Sequence, residues 1–420
     1  MDGYYAFMLV ATAFVLLMTV PGLALFYGGM TRSKSVLNMM MMSYVAAAVV
    51  GLVYVLWGWS MSFSDDELAG GLFANPFTLF GLDGVEWGSY VGVCFQMTFA
   101  IITAALISGA VADRVKLSAW VLFLPIWVTL CYFPLAHMVW GGGFLAEHFP
   151  AQDYAGGTVV HINAGVAGGV LALIVGKRLG FGREPMKPHS LPLTMIGAGL
   201  LWFGWYGFNV GSIVFAAGDG GDADTAQFMS ETGVTFLNTT IATMAALLTW
   251  LAVEKVQHGK ASSLGAASGI VAGLVAITPA CGAVSLDGAI AIGAIAGAAC
   301  SWAVGLKYKF GLDDSLDVVG VHLVGGLVGT ILIGLFSTAD APGGIDGLFY
   351  GGGLESLGNQ AAVAAFALVW TGVLTTVVAL AIKVTVGWRL TEDEEIEGID
   401  FAEHGESAYD MAAPTGSSHF

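Results

Sequence analysis

The sequence predicts an all-α polytopic membrane protein with eleven transmembrane helices. Three observations lead to this fold class. The 420-residue chain is 56% hydrophobic and only 11% charged, with a mean hydropathy of +0.79, whereas about a quarter of the residues of a soluble domain are charged. Eleven stretches of 19 residues or more contain no Lys, Arg, Asp or Glu. The basic residues, finally, are confined to one set of alternate connections and to the segment after the last stretch.

The eleven uncharged stretches are the predicted spans, because about 20 apolar residues of helix cross the hydrocarbon core of a bilayer. The first stretch lacks a basic segment before it and exceeds the apolar part of a signal peptide, so we interpret it as a retained helix. Only Asp287 separates the eighth stretch from the ninth. The predicted spans are 3–31, 35–64, 87–112, 117–146, 154–176, 188–218, 232–253, 261–286, 288–306, 318–339 and 356–382.

The basic residues predict the orientation of the bundle. All 14 lie on one side, and the other side, with the N-terminus included, holds 16 acidic residues and no basic one. Since Lys and Arg are retained on the cytoplasmic side, we expect the N-terminus outside and the C-terminus inside a cytoplasmic (inner) membrane. The net charge of −17 therefore does not indicate nucleic-acid binding. The acidic outer loops are either solvated rims or a mouth that attracts cations.

The four cysteines do not indicate a metal site or a disulfide framework. Cys94, Cys131, Cys281 and Cys300 all fall within predicted spans, and their spacing matches no metal-binding pattern. We interpret them as packing residues, and the sequence predicts neither a metal nor a cofactor. The 60 glycines instead suit helices that approach each other closely in lipid.

Two segments of the chain share one unusual pattern. DYAGGTVVHINAG (153–165) and DSLDVVGVHLVGGLVG (314–329) each place an aspartate eight residues before a histidine and continue as HxxxGxxG. The copies, His161 and His322, lie in spans five and ten, so they enter the membrane from opposite sides. This predicts an inverted repeat, about 3–178 and 188–339, with a site at the midplane between the halves. An eleventh helix, about 356–382, completes a transmembrane domain of residues 1–390, and residues 391–420 form a tail.

Ionisable groups within a membrane are costly and indicate function by default, although two histidines bonded to neighbouring backbone would be a structural alternative. Eight residues of helix span about 12 Å. We therefore expect Asp153 and Asp314 at helix ends, where they brace their helices, rather than in His–Asp pairs. The two imidazoles are expected within hydrogen-bonding distance of each other near the pseudo-axis.

Nine segments in unbroken order, covering nearly the whole sequence, carry a family resemblance. They are FYGGMTRSKSVLNMMMMS (26–43), FQMTFAIITAALISGAVADR (95–114), AHMVWGGG (136–143), DYAGGTVVHINAG, GKRLGFGREPMKPH (176–189), WYGFNVGS (205–212), TPACG (278–282), DVVGVH (317–322) and EGIDFAEHGESAY (397–409). Through them the chain resembles the ammonium transporter (Amt/Mep/Rh) family, in its bacterial or archaeal Amt branch. The resemblance implies eleven spans, a homotrimer, one pore in each subunit and no enzymatic activity.

The resemblance also implies roles for individual residues. Phe95, Phe99, Trp140 and Ser212 match the outer ammonium-binding site, and Phe99 with Phe208 matches the stacked gate below it. His161 and His322 match the pore histidines, with Asp153 as the supporting acid. Met97 stands where a small residue is expected, which leaves the packing near the gate open. Without the resemblance, Trp140 would be an interfacial tryptophan and the phenylalanines would be core residues.

The function implied is ammonium uptake, in which the ion loses its proton at the outer site and ammonia crosses an apolar pore. The histidines could carry the proton separately, since imidazole titrates near neutrality. A carrier of another small neutral gas such as carbon dioxide, and an ammonium sensor, stay open as alternatives. A cation channel would need carbonyl filters or rings of carboxylates, and a metalloenzyme would need a third ligand beside the two histidines; the sequence offers neither.

The tail is acidic, EDEEIEGIDFAEHGESAYD over 392–410. By composition alone it would be solvated and partly disordered. The resemblance implies an ordered regulatory segment that packs under neighbouring subunits and meets a P-II-type nitrogen signalling protein. Gly398, Asp400, His404 and Gly405 match that segment.

Overall fold

The computed structural model describes residues 2–184, 186–218 and 220–409, apart from the side chain of residue 2. The described chain is mainly helical, as the sequence predicts. The end of the predicted tail, residues 410–420, and Asp219 of an acidic outer loop lie outside the described residues. We call the two ends of the bundle outer and inner according to the predicted orientation.

Ten helices of the described chain are long and apolar enough to cross a membrane, and one further apolar helix is shorter. Each overlaps one predicted span. In chain order they are α1 Gly3–Met30, α2 Val36–Phe63, α3 Trp87–Val111, α4 Leu117–His148, α5 Gly157–Val175, α6 Leu191–Val210, α7 Asp222–His258, α8 Ser263–Ile277, α9 Leu286–Phe310, α10 Val319–Phe336 and α11 Glu355–Thr385.

The short helix is α8, with 15 residues. It ends at Ile277, two residues before Pro279, whose ring nitrogen has no N–H to donate to the helix ladder. Residues 278–283 continue as turns, and Asp287 lies in the first turn of α9, where the sequence predicts the boundary. The count of eleven crossings stays a prediction.

Small elements cover the ends of the bundle. A two-stranded antiparallel hairpin, β1 Glu67–Leu68 and β2 Phe73–Ala74, lies in the outer connection after α2. Short 3₁₀ turns occur at Phe80–Leu82 and Leu348–Tyr350. At the inner end, the tail forms α12 Glu392–Glu397 and α13 Ile399–His404.

Glycine allows the helices of the second half to pack closely. A Cβ atom on Gly293 of α9 would lie 2.2 Å from the carbonyl oxygen of Ala242 in α7, and one on Gly297 would lie 2.3 Å from that of Ala246. Any side chain there would push the two backbones apart. In lipid, where burial of apolar surface does not drive helices together, this close contact is a main source of cohesion.

Candidate functional site

The two histidine helices begin in the same way. Gly156, five residues before His161, has a φ of 118°, and Asp317, five residues before His322, has a φ of 63°. Glycine adopts this left-handed region freely, and aspartate is among the few other residues that tolerate it. In each case the chain reverses at this residue and then enters the helix. The repeat seen in the sequence therefore extends to the backbone.

The two aspartates hold the starts of these helices. The Asp153 carboxylate accepts hydrogen bonds from the backbone N–H groups of Gly157 (2.5 Å) and Thr158 (3.0 Å), and from the Thr158 hydroxyl. The Asp314 carboxylate accepts from the corresponding N–H groups of Val318 (3.0 Å) and Val319 (2.7 Å). These carboxylates satisfy backbone donors that have no partner within the helix.

Neither carboxylate bonds to an imidazole in the described chain; both act on the helix ends instead. Burial raises the pKa of the Asp153 carboxyl, and the hydrogen bonds from Thr158 and the backbone act in the opposite direction. Burial also raises the pKa of Asp314 to about 6, against the opposing charge of Lys307. A negative charge at a helix N-terminus is favoured by the helix dipole.

Both histidines lie in π-helical turns, Gly157–Ile162 and Val319–Leu323. Such turns are rare and occur often at functional sites. They bring the two Nδ1 atoms to 3.3 Å, with ring centroids 5.4 Å apart and ring planes inclined by 21°. Because each neutral imidazole has one donor and one acceptor nitrogen, the pair can share one proton between these atoms. His161 Nε2 has no hydrogen-bond partner in the described chain.

Glycines allow the histidine turns to approach each other. A Cβ atom on Gly165 would lie 2.4 Å from the backbone nitrogen of Leu323, and one on Gly326 would lie 3.1 Å from that of Ile162. Each glycine follows its own histidine by four residues and faces the residue after the other histidine. The first glycine of each HxxxG pattern therefore makes room for the opposite histidine turn.

An outer cavity lies above the histidines. Trp140, Asp153 and Ser212 are among the residues that line it. The indole Nε1 of Trp140 donates to the carbonyl oxygen of Asp153 (2.8 Å), which fixes the indole ring. The Ser212 hydroxyl donates to the Phe208 carbonyl (2.8 Å), so its oxygen can still accept a hydrogen bond from a ligand.

A pair of phenyl rings lies between Trp140 of this cavity and His161. Phe99 and Phe208 are buried and stacked, with centroids 4.1 Å apart and planes inclined by 9°. Phe99 also meets the Trp140 ring edge-on at 5.9 Å. Phe95 is buried beside Phe99 (4.9 Å) and against Gly211, so it lies behind the stacked pair. The structure thus brings together all five residues predicted for the outer site and the gate.

Two small chambers lie on the inner side of the stacked phenyl pair. The upper one is apolar apart from the histidines. The indole ring of Trp205 stacks on His161 at 5.5 Å, and its Nε1 donates to the Thr278 hydroxyl. The lower chamber shares Phe26, Val271 and His322 with the upper one. The residues of the upper chamber are Met18, Leu23, Phe26, Ile102, Leu106, His161, Leu201, Trp205, Phe208, Val271 and His322.

The lower chamber contains polar residues that the sequence analysis missed. Tyr27, Ser268 and Asp317 line it together with His322. Asp317 also forms an ion pair with Lys307 at 2.6 Å. The repeat itself offered a signal for Asp317, because this residue stands where the first copy has Gly156. The described residues contain no group of His, Cys, Asp and Glu suited to a metal.

Two of the four predicted tail residues contact the inner end of α2. The Asp400 carboxylate accepts from the backbone N–H groups of Leu37 (3.0 Å) and Asn38 (2.8 Å), and His404 Nε2 lies 3.1 Å from Asn38 Oδ1. Gly398 has a φ of 118° and leaves no room for a side chain beside Lys34, and Gly405 ends α13 with a φ of 66°. In this single chain the tail thus packs under its own α2.

Comparison with known proteins gives one consistent result. The model of the Ammonium Transporter Family matches residues 6–409. The ammonium transporter of Mycobacterium tuberculosis (strain ATCC 25618 / H37Rv) is 51% identical, over 99% of this chain and 92% of that protein. The Aquifex aeolicus ammonium transporter is 47% identical, over 97% and 94%. Ammonium transporter Amt1 of Archaeoglobus fulgidus is 39% identical, over 97% and 99%.

Solved structures agree with the sequence relatives. Mep2 of Saccharomyces cerevisiae superposes with a TM-score of 0.85 and 33% identity, covering 98% of this chain and 92% of that one. A structure described as a sensor Amt protein has a TM-score of 0.85 and 28% identity, covering 96% and 98%.

Proposed function

The chain belongs to the ammonium transporter family, and from this premise we propose that it takes up ammonium through a histidine-lined pore in each subunit. It is a multi-pass membrane transporter rather than an enzyme. In our proposal the ion is recruited at the outer cavity and loses its proton there, and ammonia crosses the pore. One observation carries this proposal: the outer cavity, the stacked phenyl pair and the histidine pair follow one another in that order.

Recruitment would rest on Trp140, Ser212 and Phe99. An aromatic face attracts a small cation by about 0.5–2 kcal/mol. The Ser212 oxygen can accept a hydrogen bond from ammonium. Phe95 would act indirectly, by packing behind Phe99.

Loss of the proton follows from the energy of a charge in the pore. Moving an ion from water into a dry interior costs up to about 20 kcal/mol by idealised estimates, and several kcal/mol after relaxation. A few aromatic contacts do not offset that cost, and the upper chamber has no carboxylate in its lining. Neutral ammonia avoids the cost. Potassium has no proton to lose, so the same barrier gives selectivity.

The histidines would give ammonia its hydrogen-bond partners between two apolar walls. They could also carry the released proton, in which case transport is electrogenic; otherwise the protein conducts ammonia alone. Asp153 would support the pair by holding the start of α5. The domain organisation also stays a proposal: residues 1–390 conduct, and residues 391–420 regulate.

The setting of the protein follows from the same premise. We propose that it forms a homotrimer in the cytoplasmic membrane, with the N-terminus outside. We also propose that the tail regulates transport through Gly398, Asp400, His404 and Gly405. The proposed partner is a P-II-type nitrogen signalling protein. A reporter fused after Phe420 should be cytoplasmic, and one inserted near Gly220 should be external; both on one side would contradict eleven spans.

The test is uptake and current measured together in proteoliposomes, with growth on low ammonium of a host that lacks its own uptake. Wild-type protein should support both, and Trp140→Leu should weaken the discrimination between ammonium and potassium. Trp87→Leu is the matched control, because Trp87 is 85% exposed at the outer end of α3 and represents an interfacial tryptophan. Equal effects of the two changes would remove Trp140 from the site. Faster carbon dioxide equilibration without ammonium uptake would favour the gas carrier, and binding without flux would favour the sensor.

A further inference from the structure

A buried carboxylate lies in the wall of the outer cavity. Glu231, on α7, is only 2% exposed and lines the same cavity as Trp140, Asp153 and Ser212. It is not one of the outer-site residues considered above. The sequence analysis places it in a loop, just before the seventh predicted span.

Glu231 accepts hydrogen bonds from two neutral donors. The Tyr154 hydroxyl donates to Oε1 (2.7 Å), and Gln227 Nε2 donates to Oε2 (2.8 Å). Within the described chain Glu231 forms no ion pair, and the predicted outer connections contain no Lys or Arg. A buried carboxylate without a cation is expensive, because it loses hydration that neutral donors replace only in part.

The two donors also connect Glu231 to the residues of the outer site. Tyr154 follows Asp153, whose carbonyl oxygen holds the Trp140 indole at 2.8 Å. Gln227 Nε2 also donates to the carbonyl oxygen of Val214 (2.9 Å), two residues after Ser212. Glu231 therefore fixes both walls of the cavity relative to each other. Its side chain belongs to the lining of the cavity in which the ammonium ion is proposed to bind.

We propose that Glu231 is the counter-charge for the ammonium ion in the outer cavity, and that Tyr154 and Gln227 position it. This inference rests on the proposed function. The carboxylate would raise the occupancy of the cavity by any small monovalent cation. Discrimination between ammonium and potassium would remain with the aromatic ring, the hydroxyl group and the proton-loss step.

The experiment compares Glu231→Gln with Asp224→Asn. Asp224 lies two turns earlier on α7, is also buried, and accepts from the backbone N–H groups of Gly218 and Gly220. Unit charges a few ångströms apart attract appreciably even near a protein surface. We expect Glu231→Gln to raise the half-saturating ammonium concentration about tenfold, or about 1.4 kcal/mol, with a nearly unchanged maximal rate. Asp224→Asn should stay near the wild type.

Salt provides a second measurement, since a charge-based attraction is screened as ionic strength rises. The half-saturating concentration of the wild type should rise with an inert salt, and that of Glu231→Gln should rise less. Tyr154→Phe keeps the charge but removes a donor, so it should have an intermediate effect. A Glu231→Gln protein with wild-type half-saturation and wild-type salt dependence would overturn the inference.

Two results separate this inference from the proposed function. Wild-type protein that transports no ammonium would refute the proposed function itself, whatever the variants do. If Glu231→Gln does not accumulate in the membrane, Gln227→Lys replaces it, because a lysine there would pair with the same carboxylate. That variant should also raise the half-saturating concentration, and an unchanged value would overturn the inference.

Discussion

Replacing Gly165 by alanine should separate the two pore histidines. A Cβ atom at this position would lie 2.4 Å from the backbone nitrogen of Leu323 and 2.6 Å from its Cα, whereas ordinary contact begins at 3.4 Å. The neighbouring atoms belong to backbone and cannot swing aside as a side chain can. The crossing of α5 and α10 must therefore open by about 1 Å, the difference between these distances.

The displacement falls on the imidazole pair, because Leu323 directly follows His322. The Nδ1 atom of His322 lies 3.3 Å from the Nδ1 atom of His161, near the limit of a hydrogen bond. A further separation of about 1 Å would break that contact. We expect transport to fall to the level of a variant that lacks one histidine. Overpacking of this kind also costs about 1–3 kcal/mol of stability.

Two other glycines make this a graded test. At Gly326 the nearest atoms, in His161 and Ile162, would lie 3.1 Å from a new Cβ, so Gly326→Ala should have a smaller effect. At Gly169 the only near atom is in the Val319 side chain, at 3.2 Å, and it can move. Gly169→Ala is therefore the control, on the same helix as Gly165.

Uptake and current in proteoliposomes measure transport, and thermal unfolding measures stability. The expected loss of flux decreases from Gly165→Ala to Gly326→Ala to Gly169→Ala. Wild-type flux in a folded Gly165→Ala protein would refute the reasoning, because the ring contact would then have no bearing on transport. Equal loss at Gly165 and Gly169 would refute the steric explanation.

The remaining predictions concern the histidines, their supporting acid and the tail. His161→Ala and His322→Ala should each lower ammonium flux or change its coupling to protons. An acidic replacement of one histidine should retain some transport while admitting potassium. If the single variants and the double variant all match the parent protein, the histidines are structural. Asp153→Asn should lower the unfolding temperature and the flux, since backbone donors left without acceptors cost about 1–3 kcal/mol; Asp287→Asn, at an exposed position, is the control. Asp400→Asn should make the tail more sensitive to protease and alter flux without loss of the proposed trimer. Normal flux and normal inhibition after deletion of residues 392–420 would instead favour a merely solvated tail.

The histidine site could be located from the sequence because the same pattern occurs twice in the chain. The Asp–His spacing and the HxxxGxxG pattern occur in spans of opposite direction, and an inverted repeat brings such segments together. The uncharged stretches likewise mark the helices, because hydrocarbon excludes unpaired charge. The distance and angle between the two imidazole rings could not be predicted from the sequence. They depend on π-helical turns, which have no clear sequence pattern.

Defining the spans as uncharged stretches caused Glu231 to be missed as a cavity residue. It places the start of span seven at residue 232, whereas α7 begins at Asp222, so a residue assigned to a loop lies in the third turn of a helix. A signal was present: Gln227, Glu231 and Thr235 follow one another at intervals of four and share one face of a helix. A polar stripe on an apolar helix indicates a wet cavity, but only the structure shows that Trp140 lines the same cavity.

The two copies of the repeat share a backbone but differ in the side chain at the reversal. The outer copy has Gly156, where a Cβ atom would lie 2.5 Å from the Val160 side chain and 3.5 Å from the Trp140 ring. The inner copy has Asp317, which pairs with Lys307 and lines the lower chamber. A side chain at Gly156 would clash with the Val160 side chain, whereas the inner copy has room at the same position for Asp317 and its pairing with Lys307. The repeat therefore explains how the two imidazole rings meet. The difference between the outer cavity and the lower chamber comes from side chains that the two copies of the repeat do not share.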